Sequence, residues 1–327
     1  VDEPSLFVTV FVSSLEPSVF VEVSVLVVVP VFVSVTVFVT SFVPSVFVVD
    51  SVTVVFVPLT WVQAACLALT ELMMLTGYLD DRSVSSWGEY RKALLDLVLC
   101  LAASLVLCVY AQKQSPDGVI RFWLPFVSHT VAVAPWLFVI ISVVMLWASV
   151  NTTNCTDGVD GLSSTLVLVA LLTVGAVFYF ILGHVDIARY LLVPNLADGA
   201  SWAAMTFALA GALMGYLWHN AFPSKVLMGD AGSRALGFYI GVCVMVTGNP
   251  FMILATSLII FINGGLGLVK VALIRFCHIN ILTNIRFPLH DHMKINHGWS
   301  PTQVLIKFLI IQLLVTVAIV GIIFKIR

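Results

Sequence analysis

From Trp61 onward the chain alternates long apolar runs with short polar gaps. A helix needs about 20 apolar residues to cross the hydrocarbon core of a bilayer. On that measure the pattern predicts spans over 61–79, 93–111, 132–150, 162–183, 201–218, 235–248, 251–273 and 303–325, the sixth short and glycine-bearing. The gaps are of two kinds. Those at 112–131, 184–200 and 248–250 hold few clustered acids or amides, whereas 80–92, 151–161, 219–234 and 276–302 are dense in them. If each run crosses once, two crossings separate every dense gap from the next, so all four face one compartment. That side carries Arg82, Arg91, Lys92, Lys225, Arg234, Arg275, Arg286 and Lys294, against Lys113, Arg121, Arg189, Lys325 and Arg327 on the other. The excess of basic residues marks the dense face as cytoplasmic.

Composition narrows the class. The chain is 61% hydrophobic and only 10% charged, with a mean hydropathy of +1.11, where soluble domains carry about 25% charged residues. A net charge of -2 gives no electrostatic case for a nucleic-acid partner. The six cysteines are scattered through apolar runs with no C-x-x-C pair, so they read as small buried hydrophobes rather than a disulfide framework or zinc knuckle. Residues 1–60 stand apart as an atypical low-complexity apolar segment. Only Val, Asp, Glu, Pro, Ser, Leu, Phe and Thr occur there, and valine dominates. One or two further membrane spans are expected in it and no chemistry, with the catalytic membrane domain at 61–327.

The dense gaps supply the candidate chemistry. Asp80 and Asp81 end the first run, and adjacent carboxylates at a low-dielectric border repel unless a cation is near. In 151–161, Asn154, Asp157 and Asp160 follow one another at intervals of three, which on a helix makes one stripe of an amide and two acids. A turn would also use Asn, Asp and Gly, but the repeated N-x-x-D-G-x-D-G favours a binding face. Asn220, Lys225 and Asp230 lie in the next gap, Asp230 between Gly229 and Gly232. Asp230 suits either a helix cap or a hard oxygen ligand for Mg²⁺, which takes one or two carboxylates plus substrate phosphates. His290 and His292 flank Asp291, with His297 nearby; these suit contact with phosphates or proton transfer better than zinc. No G-x-x-x-x-G-K-[ST] motif is present, which disfavours an ATP-driven pump. Carboxylates with Mg²⁺, lysines and histidines suit phosphoryl transfer. A secondary transporter would need acids near the bilayer midplane, where Glu71 is the main exception to acid-free spans.

Four motifs then carry a resemblance: YLDDR at 78–82, NTTNCTDGVDGL at 151–162, NAFPSKVLMGDAGSRALG at 220–237 and PLHDHMKINHGW at 288–299. In this order they resemble the phospho-N-acetylmuramoyl-pentapeptide transferases of the polyprenyl-phosphate N-acetylhexosamine-1-phosphate transferase superfamily. The resemblance covers residues from about 70 to the C-terminus, and the histidine loop points to the muramoyl-pentapeptide branch. It implies an all-α, polytopic transmembrane bundle of about ten spans, a homodimer in the bacterial inner membrane with its active site toward the cytoplasm. The implied reaction takes UDP-MurNAc-pentapeptide and undecaprenyl phosphate, a membrane lipid, to lipid I and UMP with Mg²⁺. By the match, Asp80, Asp81 and Asp230 are catalytic and Asp230 the metal ligand. Lys92, Asn154, Asp157, Asp160, Asn220, His290 and His292 bind substrate. The chain departs from the family pattern at Asp291, where a middle histidine is usual, and at Val84, where a lysine is usual. The family's glycine-rich loop has no counterpart in 1–60. The implied alternative is transfer of GlcNAc-1-phosphate to the lipid.

Overall fold

The computed structural model describes residues 20–23, 32–34, 37–40, 56–83, 87–127 and 129–325. From Trp61 onward the chain is a bundle of helices: α1 (Trp61–Asp81), α2 (Glu89–Gln114), α3 (Pro135–Thr156), α4 (Leu162–Ala176), the short α5 (Val185–Tyr190), α6 (Gly199–Asn220) and α7 (Gly229–Val246). Then come α8 (Met252–Ile260), α9 (Leu266–Ala272), α10 (Leu289–His297) and α11 (Pro301–Lys325). Local signals set several starts. Thr60 and Gln63 form a reciprocal capping box before α1. Pro135, which has no N–H to leave unpaired, opens α3. Among the described residues seven helical runs are long and apolar enough to cross a membrane, which makes this a polytopic helical membrane protein.

Helix α7 is not one of those seven. It begins at Gly229 rather than at 235, because polar residues open it, and every residue from Ser233 to Val246 is buried. It runs through the middle of the bundle, packed on α1 and α3. Small residues permit that approach. A Cβ at Gly237 would lie 2.5 Å from the Ser149 carbonyl oxygen and 2.9 Å from Thr153 Cβ. The polar first turns of α7 thus enter the bundle end with their partners supplied by neighbouring helices.

The run 252–277 is one long helix interrupted by π-helical turns at Phe261–Gly265 and Leu273–Cys277. Ser257 leaves helical geometry (φ -141°, ψ 20°), which frees backbone groups where water cannot serve them. Helix α11 repairs the loss. The Ile259 N–H donates to Gln312 Oε1 at 2.9 Å, Gln312 Nε2 donates to the Ala255 and Thr256 carbonyls at 3.2 and 3.3 Å, and Thr316 Oγ1 donates to Ala255 at 2.7 Å.

At one end of the bundle, β5 (Arg121–Phe122) and β6 (Val131–Ala132) pair antiparallel, and Trp123 Nε1 donates to the Thr247 carbonyl at 2.6 Å. This end gathers the polar gaps that are poor in acids. In the first sixty residues the described pieces are short strands, β1 (Phe20–Val23) with β3 (Val37–Thr40) and β2 (Phe32–Ser34) with β4 (Phe56–Pro58), as β-branched valine and aromatic phenylalanine favour. The two membrane spans that the family resemblance implies for 1–60 otherwise lie outside the described residues. All six cysteines are free.

Candidate active site

The four acid-rich gaps meet at the other end. Asp80, on the last turn of α1, is only 4% exposed. It accepts the Trp87 backbone N–H at 2.7 Å and pairs with Lys92 from the first turns of α2. The same Lys92 ammonium reaches Asp230 Oδ2 at 3.1 Å. Asp81 is exposed and accepts the Ala231 N–H at 3.2 Å. The turn into α7 makes this approach possible. Gly229 is left-handed (φ +65°), and a Cβ there would sit 2.6 Å from Asp81 Oδ2. Asp80, Asp81 and Asp230 each present a carboxylate oxygen within 4.8 Å of the others. Three acids so close need positive charge, and Lys92 supplies one. Hard oxygen donors in this arrangement fit a Mg²⁺ ion, whose further ligands would be waters and phosphate.

The turn between α3 and α4 forms a second wall, and here the helical-stripe expectation is corrected. Helix α3 stops at Thr156, so Asn154 lies on its last turn, Asp157 is its cap residue and Asp160 belongs to the turn before α4. The physical reason lies in the glycines of the turn: Gly158, a poor helix former, follows the cap residue directly, and Gly161, left-handed at φ +73°, is where α4 starts afresh. The three side chains are held separately. Asn154 Oδ1 accepts Ser233 Oγ at 3.0 Å, Asp157 accepts the Gly229 N–H, and Asp160 Oδ2 accepts the Ser224 N–H at 3.1 Å. Burial, reinforced by the charges of Asp230, Asp160 and Asp81, pushes the Asp157 carboxyl up to about 6. Asn220 is buried with both ends of its amide engaged. It accepts the Gly161 N–H at 3.1 Å and Ser164 Oγ at 2.8 Å, and donates to the Val226 carbonyl at 2.8 Å. It ties the α3–α4 turn to the segment leading into α7.

Helix α10 closes the third side. His290 is buried, with its N–H donating to Asn263 Oδ1 at 2.8 Å and Nδ1 3.1 Å from Asn263 Nδ2. Its ring packs where a Cβ on Gly158 would otherwise lie. Asp291 forms an ion pair with Lys294 at 2.9 Å; against the effect of burial, that pair keeps its carboxyl below the ordinary range. Lys294 Nζ stands 3.5 Å from the Gly158 carbonyl. His292 lies outside that contact, its ring edge-on to His297 at 5.3 Å. The acid at 291 is therefore the counter-charge of a lysine that leans over the α3–α4 turn.

Burial sets a pH dependence for this helix. It pulls the His290 imidazole from 6.5 down to about 4. Between those values the unfolded chain holds more protons than the folded one, so stability rises with pH across the window and is lost as pH falls through it. The expected contribution is at most about 3 kcal/mol. The thermal midpoint in detergent is expected to fall from pH 6.5 toward pH 4.5 more steeply in the wild type than in His290→Gln. Equal slopes in the two proteins would refute the burial argument.

Two buried residues were not anticipated as partners. Arg234, expected on the basic face, is 2% exposed and pairs inside the bundle with Asp96. Glu71, noted as the main acid within a span, is exposed among the described residues. Asp96 is the buried one. The signal was present as Lys92-x-x-x-Asp96 and Asp230-x-x-x-Arg234, each spaced to share a helix face.

Residues 63–248 match the family model described as glycosyl transferase family 4. The chain is 57% identical over 269 residues to the phospho-N-acetylmuramoyl-pentapeptide-transferase of Treponema pallidum (strain Nichols), covering 82% of this chain and 73% of that protein. The like-named protein of Gemmatimonas aurantiaca is 33% identical over 273 residues, covering 76% and 70%. That of Campylobacter hominis is 27% identical over 227 residues, covering 69% and 62%.

Proposed function

The chain belongs to glycosyl transferase family 4, among the phospho-N-acetylmuramoyl-pentapeptide transferases, and from that premise we propose that it transfers phospho-MurNAc-pentapeptide from UDP-MurNAc-pentapeptide to undecaprenyl phosphate, giving lipid I and UMP. The observation that carries the reading is the meeting of Asp80, Asp81, Lys92 and Asp230 at one end of the bundle. A lipid phosphate reaches such a site from the bilayer, and a nucleotide from the aqueous side. The excess of basic residues in the gaps at this end supports a cytoplasmic orientation in the bacterial inner membrane. A homodimer is carried into the reading by the family resemblance.

In the reaction a lipid phosphate oxygen bonds to the phosphorus that bears the sugar, while the bond from that phosphorus to the bridging oxygen of UMP breaks. Both reactants are anionic, so the site must offset their repulsion. Asp230, with Asp81 and Asp80, would hold Mg²⁺, which when bound neutralises the diphosphate and stabilises the departing UMP. Asp81 is the accessible acid and is suited to orient the lipid phosphate or take its proton. Asp80 is engaged by Trp87 and Lys92, so it fixes the lysine that faces the phosphates. Asn154, Asp157 and Asp160 suit the nucleotide side, with His292 and Lys294 toward the sugar and its phosphate. His290 and Asn220 act from behind, holding α10 and the α3–α4 turn.

The test is UMP release in detergent from UDP-MurNAc-pentapeptide with undecaprenyl phosphate. Turnover is expected with this pair and not with UDP-GlcNAc. Turnover of UDP-GlcNAc alone would overturn the proposal in favour of the sugar branch.

A further inference from the structure

Below the carboxylates lies an ion pair that the proposed chemistry does not use. Asp96 follows Lys92 by four residues on α2, and Arg234 follows Asp230 by four on α7. Each pair shares a helix face, and about 6 Å of rise separates the two levels. Across the contact between α2 and α7, Lys92 meets Asp230 at 3.1 Å and Asp96 meets Arg234. The four charges therefore alternate. A cation faces an anion in the upper level, and the order is reversed in the lower, so every charge has an opposite neighbour both across the contact and along its own helix. The lower side chains are sealed, at 3% and 2% exposure. Arg234 NH2 also stands 3.9 Å from Met73 Sδ, and NH1 has no hydrogen-bond partner among the described residues.

Stability alone is a poor explanation for such a pair. Desolvating two charges costs several kcal/mol each, and apolar replacements of similar volume are often neutral or stabilising. What leucine could not reproduce is the polarity, an acid below Lys92 and a guanidinium below Asp230. The site needs that polarity because Lys92 stands between Asp80 and Asp230, while Asp81, Asp157 and Asp160 add further negative charge on the Asp230 side.

We propose that Asp96 and Arg234 are positioning residues whose charge order keeps Lys92 and Asp230 correctly placed when those two exchange partners. The proposal rests on the reading of Lys92 and Asp230 as site residues and adds a requirement beneath them. With a divalent cation on Asp230, Lys92 would give up its 3.1 Å contact. Asp80 keeps its ion pair with the ammonium, and the negative charge of Asp96, one turn below on the same helix, favours the ammonium staying at that level, where it would turn to the phosphates. Arg234 meanwhile offsets the carboxylates around Asp230, which keeps the metal from being bound too tightly to release.

Two double variants separate polarity from packing. Asp96→Asn with Arg234→Gln keeps the size and removes the charges. Asp96→Arg with Arg234→Asp keeps an ion pair and reverses it. Turnover of UDP-MurNAc-pentapeptide, the thermal midpoint and Mn²⁺ binding to the enzyme alone by electron paramagnetic resonance are measured on each. The neutral variant is expected to lose kcat about tenfold and the reversed variant more, while Mn²⁺ binding tightens in the order wild type, neutral, reversed. If either folded variant keeps kcat within twofold and Mn²⁺ affinity unchanged, the pair is structural and the proposal falls. Should the reversed variant not fold, the neutral one decides alone. If neither folds, stability is the pair's role and the proposal falls too. Asp230→Ala is run alongside as the control that tests the site itself. An inactive Asp230→Ala beside a fully active neutral variant would overturn only the lower-level proposal.

Discussion

Asp230→Ala is expected to lower UMP release by on the order of 10³-fold while the bundle stays folded. Asp230 sits at the partly exposed start of α7, and the ion pair it makes is with Lys92, which retains Asp80 when Asp230 is removed. The structural cost is therefore small, as for other exposed ion pairs. The chemical cost is large for two reasons. The group of three carboxylate oxygens within 4.8 Å drops to two acids, and Lys92 loses the partner that draws it toward α7. Electrostatic groups aimed at developing charge are each worth about 10²–10³ in rate, and loss of a bound cation adds to that. The checks are UMP release under saturating Mg²⁺ and the thermal midpoint. Turnover within tenfold of wild type, in a protein that melts normally, would remove Asp230 from the site. Asp230→Asn, which keeps the shape and loses the charge, is expected to be nearly as inactive.

Much of this site could be read from hydropathy alone. Asp80, Asp81, Asp157, Asp160 and Asp230 each stand in a gap between apolar runs, and counting crossings puts those gaps on one side. What the pattern could not give were contacts that join distant helices. Asp96 and Arg234 are single charges in apolar or polar neighbourhoods that hide them; only the α2–α7 contact makes them a pair. Hydropathy puts the start of α7 late because its first turns are polar, and Asp81, Asn154 and Lys92 from neighbouring helices take up that polarity. The stripe through Asn154, Asp157 and Asp160 is broken because α3 ends at Thr156, with Gly158 in the turn that follows and α4 starting afresh from Gly161. The break at Ser257 is served by Gln312, more than fifty residues away, a partner no local pattern announces. His290 carries the same lesson, since its sequence neighbours suggest a solvated loop while Asn263 and Gly158 bury it.

Gly77→Ala is expected to reduce kcat/KM by about 10²-fold, and Gly77→Val by more, although neither change removes a chemical group. Gly77 lies where α1 crosses the first turn of α7. A Cβ there would stand 2.5 Å from the Asp230 carbonyl oxygen and 2.6 Å from the backbone N and Cα of Ala231. All three atoms are backbone, so no side-chain rotation relieves the clash and the helices must separate by about 1 Å. Gly77 precedes Asp80 and Asp81 by three and four residues, so the displacement is delivered to both acids. The 3.2 Å bond from Ala231 N–H to Asp81 stretches past useful length, and Asp80 carries Lys92 away from Asp230. A misplacement of that size at a reacting centre costs about 10²-fold. Overpacking also destabilises, by about 1–3 kcal/mol, so the thermal midpoint alone would not separate a damaged site from a loosened bundle. Mn²⁺ binding does separate them, because the proposed ligands come from the two helices that part. Weaker Mn²⁺ binding in protein that is still folded at the assay temperature is the expected result. Gly77→Ala with kcat/KM and Mn²⁺ affinity within threefold of wild type would mean that the acids of α1 and α7 do not act as one site.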